Sequence, residues 1–294
     1  MTFEQLSIFV AVAEREHLTK AAAAIGLTPS AVSASIKALE AFYGVQLFHR
    51  VGRGIELTKA GRIFVAEAQA TLARARSAAL VLSELGALER GTLDVYASQT
   101  IASYWLPQRL MRFHRAFPGI DIRLTVGNTK TVSQAVHDGL AEVGFVEGTI
   151  NDPTLSSRPV AQDAMVVVVS PSHPFANRKG VKGEELLTET QWIMREAGSG
   201  TRSEFEAALT AGGCYLSCLK IAMTLPSNEA VLSALLEGSC AAALSSIVSA
   251  SFVRQGDLTI VDFSLPPRAF TALRHKERHQ SQAAAKLMEM CLAV

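Results

Sequence analysis

Residues Leu18 to Arg53, LTKAAAAIGLTPSAVSASIKALEAFYGVQLFHRVGR, constrain the chain more than any other stretch. Ala21 to Ile25 are strong helix formers, and Thr19 is placed to cap the helix they build. Gly26 stands where that helix ends, because glycine accepts the left-handed backbone of a helix terminus. Thr28 or Pro29 then starts a second helix, since proline at a first helical position gives up no useful N–H. Val32, Ile36, Leu39 and Tyr43 recur at four, three and four residues, one apolar stripe for a core. The opposite face carries Ser30, Ser33, Ala34 and Lys37, small groups and one cation that allow close approach to a major groove.

The flanks complete the pattern. Leu6, Phe9, Val10 and Ala13 predict a helix over residues 2–15 that backs the other two. After Gly44, VQLFHR and Ile55-Glu56-Leu57 read as strands joined by the tight turn Val51-Gly52-Arg53-Gly54. Three helices followed by a hairpin predict a winged helix-turn-helix over residues 1–58, with Arg50 and Arg53 on the wing facing phosphate or a minor groove. Net charge does not advertise this role. The whole chain of 294 residues carries +1, and residues 1–58 hold five cations against five acids. Any DNA affinity must come from where charges sit.

Thr58-Lys59-Ala60-Gly61 opens a long helix to about Leu85, with Ala68, Leu72, Ala75, Ala79 and Leu82 forming a heptad seam. Such a seam predicts a partner helix and hence a homodimer. Residues 59–90 read as this linker helix and a hinge at Gly86 and Glu89-Arg90-Gly91. From Thr92 the pattern alternates strand and helix, which predicts a parallel sheet with right-handed crossovers. The rhythm of 92–162 returns over 163–266. Residues 91–294 therefore read as an α/β unit of two lobes, lobe I from 91–162 and 267–294 and lobe II from 163–266, with a ligand cleft between them.

In order and in residues this resembles the LysR-type transcriptional regulators. FVAVAE, LTKAAAAIGLTPSAVSASIKALE, GVQLFHR and RGIELTKAG carry the resemblance at the N-terminus. DVYASQTIASYWLP, LTVGNTKTV, VGFVEG, REAGSGTR and LPSNEAV carry it towards the branch of Calvin-cycle and sulfite or sulfur-metabolism regulators. The resemblance implies a winged helix-turn-helix, a dimerising linker helix and a two-lobed effector domain like a type 2 periplasmic binding protein. It also implies homotetramers that bind and bend promoter DNA, with RNA polymerase as a possible partner. By motif match Thr28, Pro29, Ser30, Ser33, Ser35 and Lys37 fall on the recognition region and Arg50 and Arg53 on the wing. Ala34 departs from the family, which often has a long polar side chain there, so specificity leans more on Lys37, Ser33, the wing and DNA shape.

Ser98 and Thr100, Asn128 and Thr129, Gly198-Ser199-Gly200-Thr201, and Asn228 stand at strand ends that lead into helices. Helix N-termini present unpaired N–H groups that attract anions, and hydroxyls add donors. These positions predict a small anionic effector, sulfite- or sulfate-like or a phosphorylated or carboxylate metabolite. Glu147 and Glu196 must then be turned away or paired. GSGTR lacks the length and lysine of a nucleotide P-loop. Cys214 and Cys218 offer an alternative redox-sensing reading of the same fold, and a solute-binding protein is the alternative from another class. No cofactor, metal site or acid–base pair is legible, so an enzyme is not expected. No basic leader or apolar span is visible, and a cytoplasmic protein is expected.

Overall fold

The computed structural model describes residues 1–52, 54–84 and 91–292. Two compact units make up the chain: residues 1–86 and, apart from 138–140, residues 87–294.

The first unit opens with α1, Phe3–Arg15. Thr2 caps it by accepting the Gln5 N–H, and the Gln5 carboxamide accepts from Thr2 N–H in return. α2, Leu18–Ala24, is capped by His17 Nδ1, which accepts the Lys20 N–H at 3.4 Å. The expected cap at Thr19 is thus displaced by two residues, and Thr19 lies inside the helix. Thr28 caps α3, Pro29–Tyr43, and Gly44 ends it at φ 65°. Val32, Ile36 and Leu39 are buried with Leu6, Phe9 and Leu47. Tyr43 is 54 % exposed, so the stripe stops one turn short of the sequence expectation, where Tyr43 stacks edge-on against Phe42. β1, Phe48–Val51, pairs antiparallel with β2, Gly54–Leu57.

α4 spans Lys59–Glu84. Its start is fixed by Thr58, whose hydroxyl accepts the Gly61 N–H at 3.0 Å and donates to Gln46 and Leu47 carbonyls. A Cβ on Gly61 would stand 2.1 Å from the Leu47 carbonyl oxygen, so only glycine lets the helix come this close to the wing. The expected seam is divided. Ala68 is buried in the core of this unit and Leu72 packs against it, whereas Ala79 is exposed. The helix serves its own core through Ala68 and Leu72 in its middle turns, and Ala78 and Ala79 beyond them are exposed. The side chain of Leu82 and the hinge residues Gly86, Glu89 and Arg90 lie outside the described residues.

The second unit holds two five-stranded sheets. Its chain order is β3, Gly91–Ser98; a π-turn, Ile101–Trp105; α5, Leu106–Ala116; β4, Ile120–Gly127; α6, Thr129–Asp138; β5, Val143–Glu147; β6, Leu155–Asp163; β7, Met165–Val169. It continues with α7, Gly183–Thr188; β8, Gln191–Arg195; α8, Gly200–Ala211; β9, Ile221–Leu225; α9, Asn228–Leu235; β10, Cys240–Ser245; α10, Ser246–Gln255; β11, Thr259–Ile260; β12, Arg268–His275; and α11, Gln282–Leu292. One sheet runs β4-β3-β5-β12-β6 and the other β11-β7-β10-β8-β9. The chain passes from the first sheet to the second at Asp163–Met165 and returns in β12.

The sheets are mixed rather than parallel. β3 runs parallel to β4 and β5, but β12 is antiparallel to β5 and β6, and β7 is antiparallel to β10. A strand that returns from the far lobe enters its sheet from the opposite end, which alternation of strand and helix along the chain does not disclose. The first sheet packs Leu93, Phe145 and Phe270 with Trp105, Phe113 and Leu287. The second packs Trp192, Phe205 and Leu209 on one side and Val168, Leu232 and Leu244 on the other. No single helix among the described residues is long and apolar enough to cross a membrane.

Candidate functional site

In the first unit, Thr28, Pro29, Ser30, Ala34 and Lys37 are exposed along one side of α3, and Ser33 and Ser35 are half-buried. The Thr28 hydroxyl is shared between the cap and Ser30 Oγ, 3.0 Å away. Arg50 is exposed on β1; Arg53 lies outside the described residues. The wing is tied to α3 by Glu40, whose Oε1 accepts the N–H groups of Leu47 and Phe48 at 2.7 and 3.1 Å. Nothing in the residue order announces that role, because Glu40 sits among alanines on a helix face that reads as solvent-facing.

In the second unit, the strand ends and helix starts flagged from the sequence meet between the two sheets. Thr100 and Asn228 are buried, and Asn228 Nδ2 donates to Thr100 Oγ1 at 3.1 Å. Arg195 Nη1 donates to Asn228 Oδ1 at 2.6 Å. The Asn228 N–H, at the start of α9, donates to Gln99 Oε1 at 2.7 Å, and Gln99 Nε2 donates to Glu229 at 2.6 Å. Tyr104 also donates to Glu229, and burial together with that carboxylate pushes its phenol above the ordinary range. Asn128 has two tasks: its Oδ1 caps α6 by accepting the Thr131 N–H, and its Nδ2 donates to Glu196.

Ser199 and Thr201 are buried at the start of α8. Gly198 has φ +93°, and its carbonyl accepts the Lys130 N–H of α6. A Cβ on Gly200 would meet Thr129 Oγ1 at 2.5 Å. Both glycines therefore bring α8 close to α6 across the cleft. The two acids are engaged. Glu196 accepts from Arg195 and Asn128, and Glu147, 3 % exposed, accepts from Thr129 Oγ1 at 3.2 Å.

A further buried network joins the strands that cross between sheets. Arg268 and Asp163 face each other in the β12–β6 register, and Arg268 Nε donates to Asp163 Oδ2 at 2.7 Å. Ser245 donates to Asp163 Oδ1, and Arg268 Nη1 donates to Thr201 Oγ1 at 3.0 Å. Two buried polar atoms among the described residues have no partner, Ser98 Oγ and Arg268 Nη2. Sequence reasoning missed Arg195 and Arg268 as site residues. The available signal was an arginine bordering a buried stretch of strand, after Trp192-Ile193-Met194 in β8 and before Ala269-Phe270 in β12, which demands a paired, desolvated charge. A cavity of about 520 Å³ adjoins the Gln99, Arg195, Glu196 and Asn128 bonds rather than the Arg268 network, and is lined by those four residues with Tyr96 and Pro226, among others. Cys214 is half-buried, Cys218 exposed, and both are free thiols. No group of three or more metal-ligating side chains occurs among the described residues.

Residues 3–62 match the family described as "Bacterial regulatory helix-turn-helix protein, lysR family", and residues 86–294 match the "LysR substrate binding domain". The chain is 33 % identical over 293 residues to the uncharacterized HTH-type transcriptional regulator YeiE of Escherichia coli K12, covering 99 % of this chain and 97 % of that one. It is 30 % identical over 301 residues to a probable RuBisCO transcriptional regulator of Cyanidioschyzon merolae, covering 100 % and 98 %. Among solved structures, full-length CbnR complexed with its target DNA shares the fold at TM-score 0.69 and 23 % identity, covering 99 % of each chain.

Proposed function

The chain belongs to the LysR family of DNA-binding transcriptional regulators, and from that premise we propose that its DNA contacts are those of α3 and the wing and that its effector is a small anion held between the two sheets of the second unit. The family acts by regulating transcription and not by catalysis. CbnR was solved on DNA, and its likeness in fold supports placing α3 of this chain in a major groove. Thr28, Pro29, Ser30, Ser33, Ser35 and Lys37 are the proposed contacts from α3, with Arg50 and Arg53 from the wing. Pairing through the later turns of α4 gives a homodimer, and two dimers give a tetramer that spans a bent promoter.

One observation carries the effector reading. The starts of α6, α8 and α9 converge with buried hydroxyls at Thr100, Thr129 and Thr201 and with two buried guanidinium groups. Thr100, Asn128, Ser199, Thr201 and Asn228 all lie on hydrogen bonds that pass from one sheet's elements to the other's or stand next to one that does. An anion that takes these donors replaces bonds between the lobes. Its binding shifts the population of lobe arrangements and with it the spacing of the DNA-reading dimers.

The test has two parts. A gel-shift with the DNA upstream of the protein's own gene is expected to show a specific complex at moderate salt; its absence overturns the DNA assignment. A thermal-shift panel of small anions on the full chain is expected to find at least one that adds about 2.7 kcal/mol at 100 times its dissociation constant. Thr100→Ala and Thr201→Ala are expected to abolish that shift. If both leave it intact, the effector lies elsewhere.

A further inference from the structure

The effector reading leaves open which anions the cleft accepts, and the present inference rests on it. Glu147 closes β5, Arg268 opens β12, and the two strands pair antiparallel with Phe270 opposite Glu147. Residues two apart on a strand share a face, so Arg268 and Glu147 are diagonal neighbours on one face of the sheet, roughly 7–8 Å apart. The first turn of α8 lies against both. Arg268 Nη1 donates to Thr201 Oγ1 at 3.0 Å, and a Cβ on Gly200 would stand 3.0 Å from both the Glu147 Cβ and its carbonyl oxygen. A guanidinium and a carboxylate thus meet at one helix N-terminus.

Neither is saturated. Arg268 spends Nε on Asp163 and Nη1 on Thr201, while Nη2, closed off from solvent, has no acceptor. In the planar group Nη2 lies between Nε, which faces Asp163, and Nη1, which reaches Thr201. Glu147 receives one hydroxyl, from Thr129, and no cation is paired with it among the described residues. Asp163 already balances Arg268. The other charged side chains packed round this turn are Arg202, held by Glu206, together with Lys130 near Gly198 and Glu204 near Gly148.

A buried guanidinium N–H lacking an acceptor and a buried carboxylate lacking a charged donor both carry a desolvation cost that a ligand can relieve. A fully ionised oxyanion satisfies the first and is repelled by the second. An oxyanion that keeps one acidic proton satisfies both: its O–H donates to the Glu147 carboxylate, and its bare oxygens accept from Arg268 Nη2 and the α8 N–H groups. We propose that the cleft selects protonated oxyanions, of the hydrogen phosphate or hydrogen sulfite type, with Glu147 as the acceptor of the ligand's proton-bearing oxygen and Arg268 as the donor to its charged oxygens. Entry requires the lobes to part, because the Arg268–Thr201 and Asn228–Thr100 bonds close the site.

The test compares inorganic phosphate with sulfate, tetrahedral anions that differ in carrying a proton near neutrality, by calorimetry on the full chain. At pH 6.5 phosphate is expected to bind at least about tenfold more tightly than sulfate. Raising the pH to 8.5 leaves hydrogen phosphate one acidic proton and is expected to preserve its lead over sulfate, whereas sulfite, which loses its single proton over that range, is expected to bind more weakly. Glu147→Gln, whose carboxamide donates where the carboxylate accepted, is expected to invert the preference, and Glu147→Asp to retain it. Arg268→Lys is expected to weaken both anions alike. Sulfate bound as tightly as phosphate by the unaltered chain overturns the selectivity. A Glu147→Gln variant that folds and keeps the preference overturns the role of Glu147. Both results leave the effector reading standing if Thr100→Ala still abolishes binding. Neither phosphate nor hydrogen sulfite binding, with some proton-free anion bound, also overturns the selectivity, and no anion bound at all brings down the effector reading with it.

Discussion

His173 is a buried imidazole with both nitrogens engaged: Nε2 lies 2.8 Å from Thr190 Oγ1, and Nδ1 accepts the Phe175 N–H at 3.1 Å. An accepting Nδ1 fixes the neutral ring with its proton on Nε2, donated to Thr190. Burial pushes the imidazole's pKa below its ordinary value of 6.5. The unfolded chain therefore takes up a proton at a higher pH than the folded one. Stability from this group is complete above about 6.5 and is lost as the pH falls towards the folded value. His275 is shifted the same way, by burial first and then by Arg278 and His137. His173→Asn keeps an acceptor for the Phe175 N–H and removes the titration. Thermal melts from pH 7.5 to 5 are expected to show a less stable variant at the upper end that loses less on acidification. Equal acid slopes would remove His173 as a source of the dependence. At this scale the sequence discloses partners that are close in the chain, such as Thr28 with Ala31. It hides partners that the fold brings together, such as Arg268 with Asp163, 105 residues away. The Thr19 cap failed for a local reason: His17 offers an acceptor two residues earlier.

Between elements, one polar side chain ties the recognition helix to the wing beside the packing of Leu47. Glu40 accepts the N–H groups of Leu47 and Phe48, the residues that carry the chain from α3 into β1. Glu40→Ala leaves both N–H groups without that acceptor, an expected loss of about 1–3 kcal/mol. Chemical denaturation checks it, and an unchanged midpoint refutes it. Glu40→Gln keeps one accepting oxygen and is expected to recover part of the loss. The helix-turn-helix itself was legible because each signal is local: Gly26 at φ +70°, Pro29 at the first helical position and Gly44 at φ +65°. α10 was not read from the sequence. Its SIVSASFVRQ is rich in serine and β-branched residues, poor helix formers that here start directly from the end of β10 with Ser245 as cap. The antiparallel strands β6, β7 and β12 were legible as strands but not in direction, since direction is decided by a chain that leaves one sheet and returns from the other. The effector positions were legible as a set because helix starts that follow strands carry Ser, Thr, Asn and Gly. The task of Thr100, Asn128, Thr201 and Asn228 among them, bonding the lobes to each other, was not.

At the scale of the molecule, charge and packing together decide how DNA is held. Residues 1–58 carry no net charge, and Lys37 and Arg50 are exposed on the proposed reading surface. Each phosphate neutralised contributes about −0.9 to the slope of log affinity against log salt, so one copy of this domain binds weakly and with a shallow slope. Lys37→Ala is expected to reduce the slope of the full chain by about 1 for each domain engaged. The core of the first unit includes Ala68, with Phe64 and Leu72 packed against it. A fragment of residues 1–58 lacks these and is the wrong probe of a lone reader, whereas residues 1–84 keep the whole core. That fragment also keeps the later turns of α4 and so tests what the second unit adds. If the second unit joins dimers into a tetramer, the fragment loses the effective concentration that links two half-sites, an expected loss of about 10²–10⁴ in affinity for the intact promoter. On a single half-site the fragment and the full chain are expected to bind alike. Fluorescence anisotropy across 50–200 mM salt measures both quantities under conditions where phosphate contacts dominate. Equal affinity of fragment and full chain for the intact promoter would mean that the second unit does not pair the readers. Control by the effector would then have to act within a single dimer.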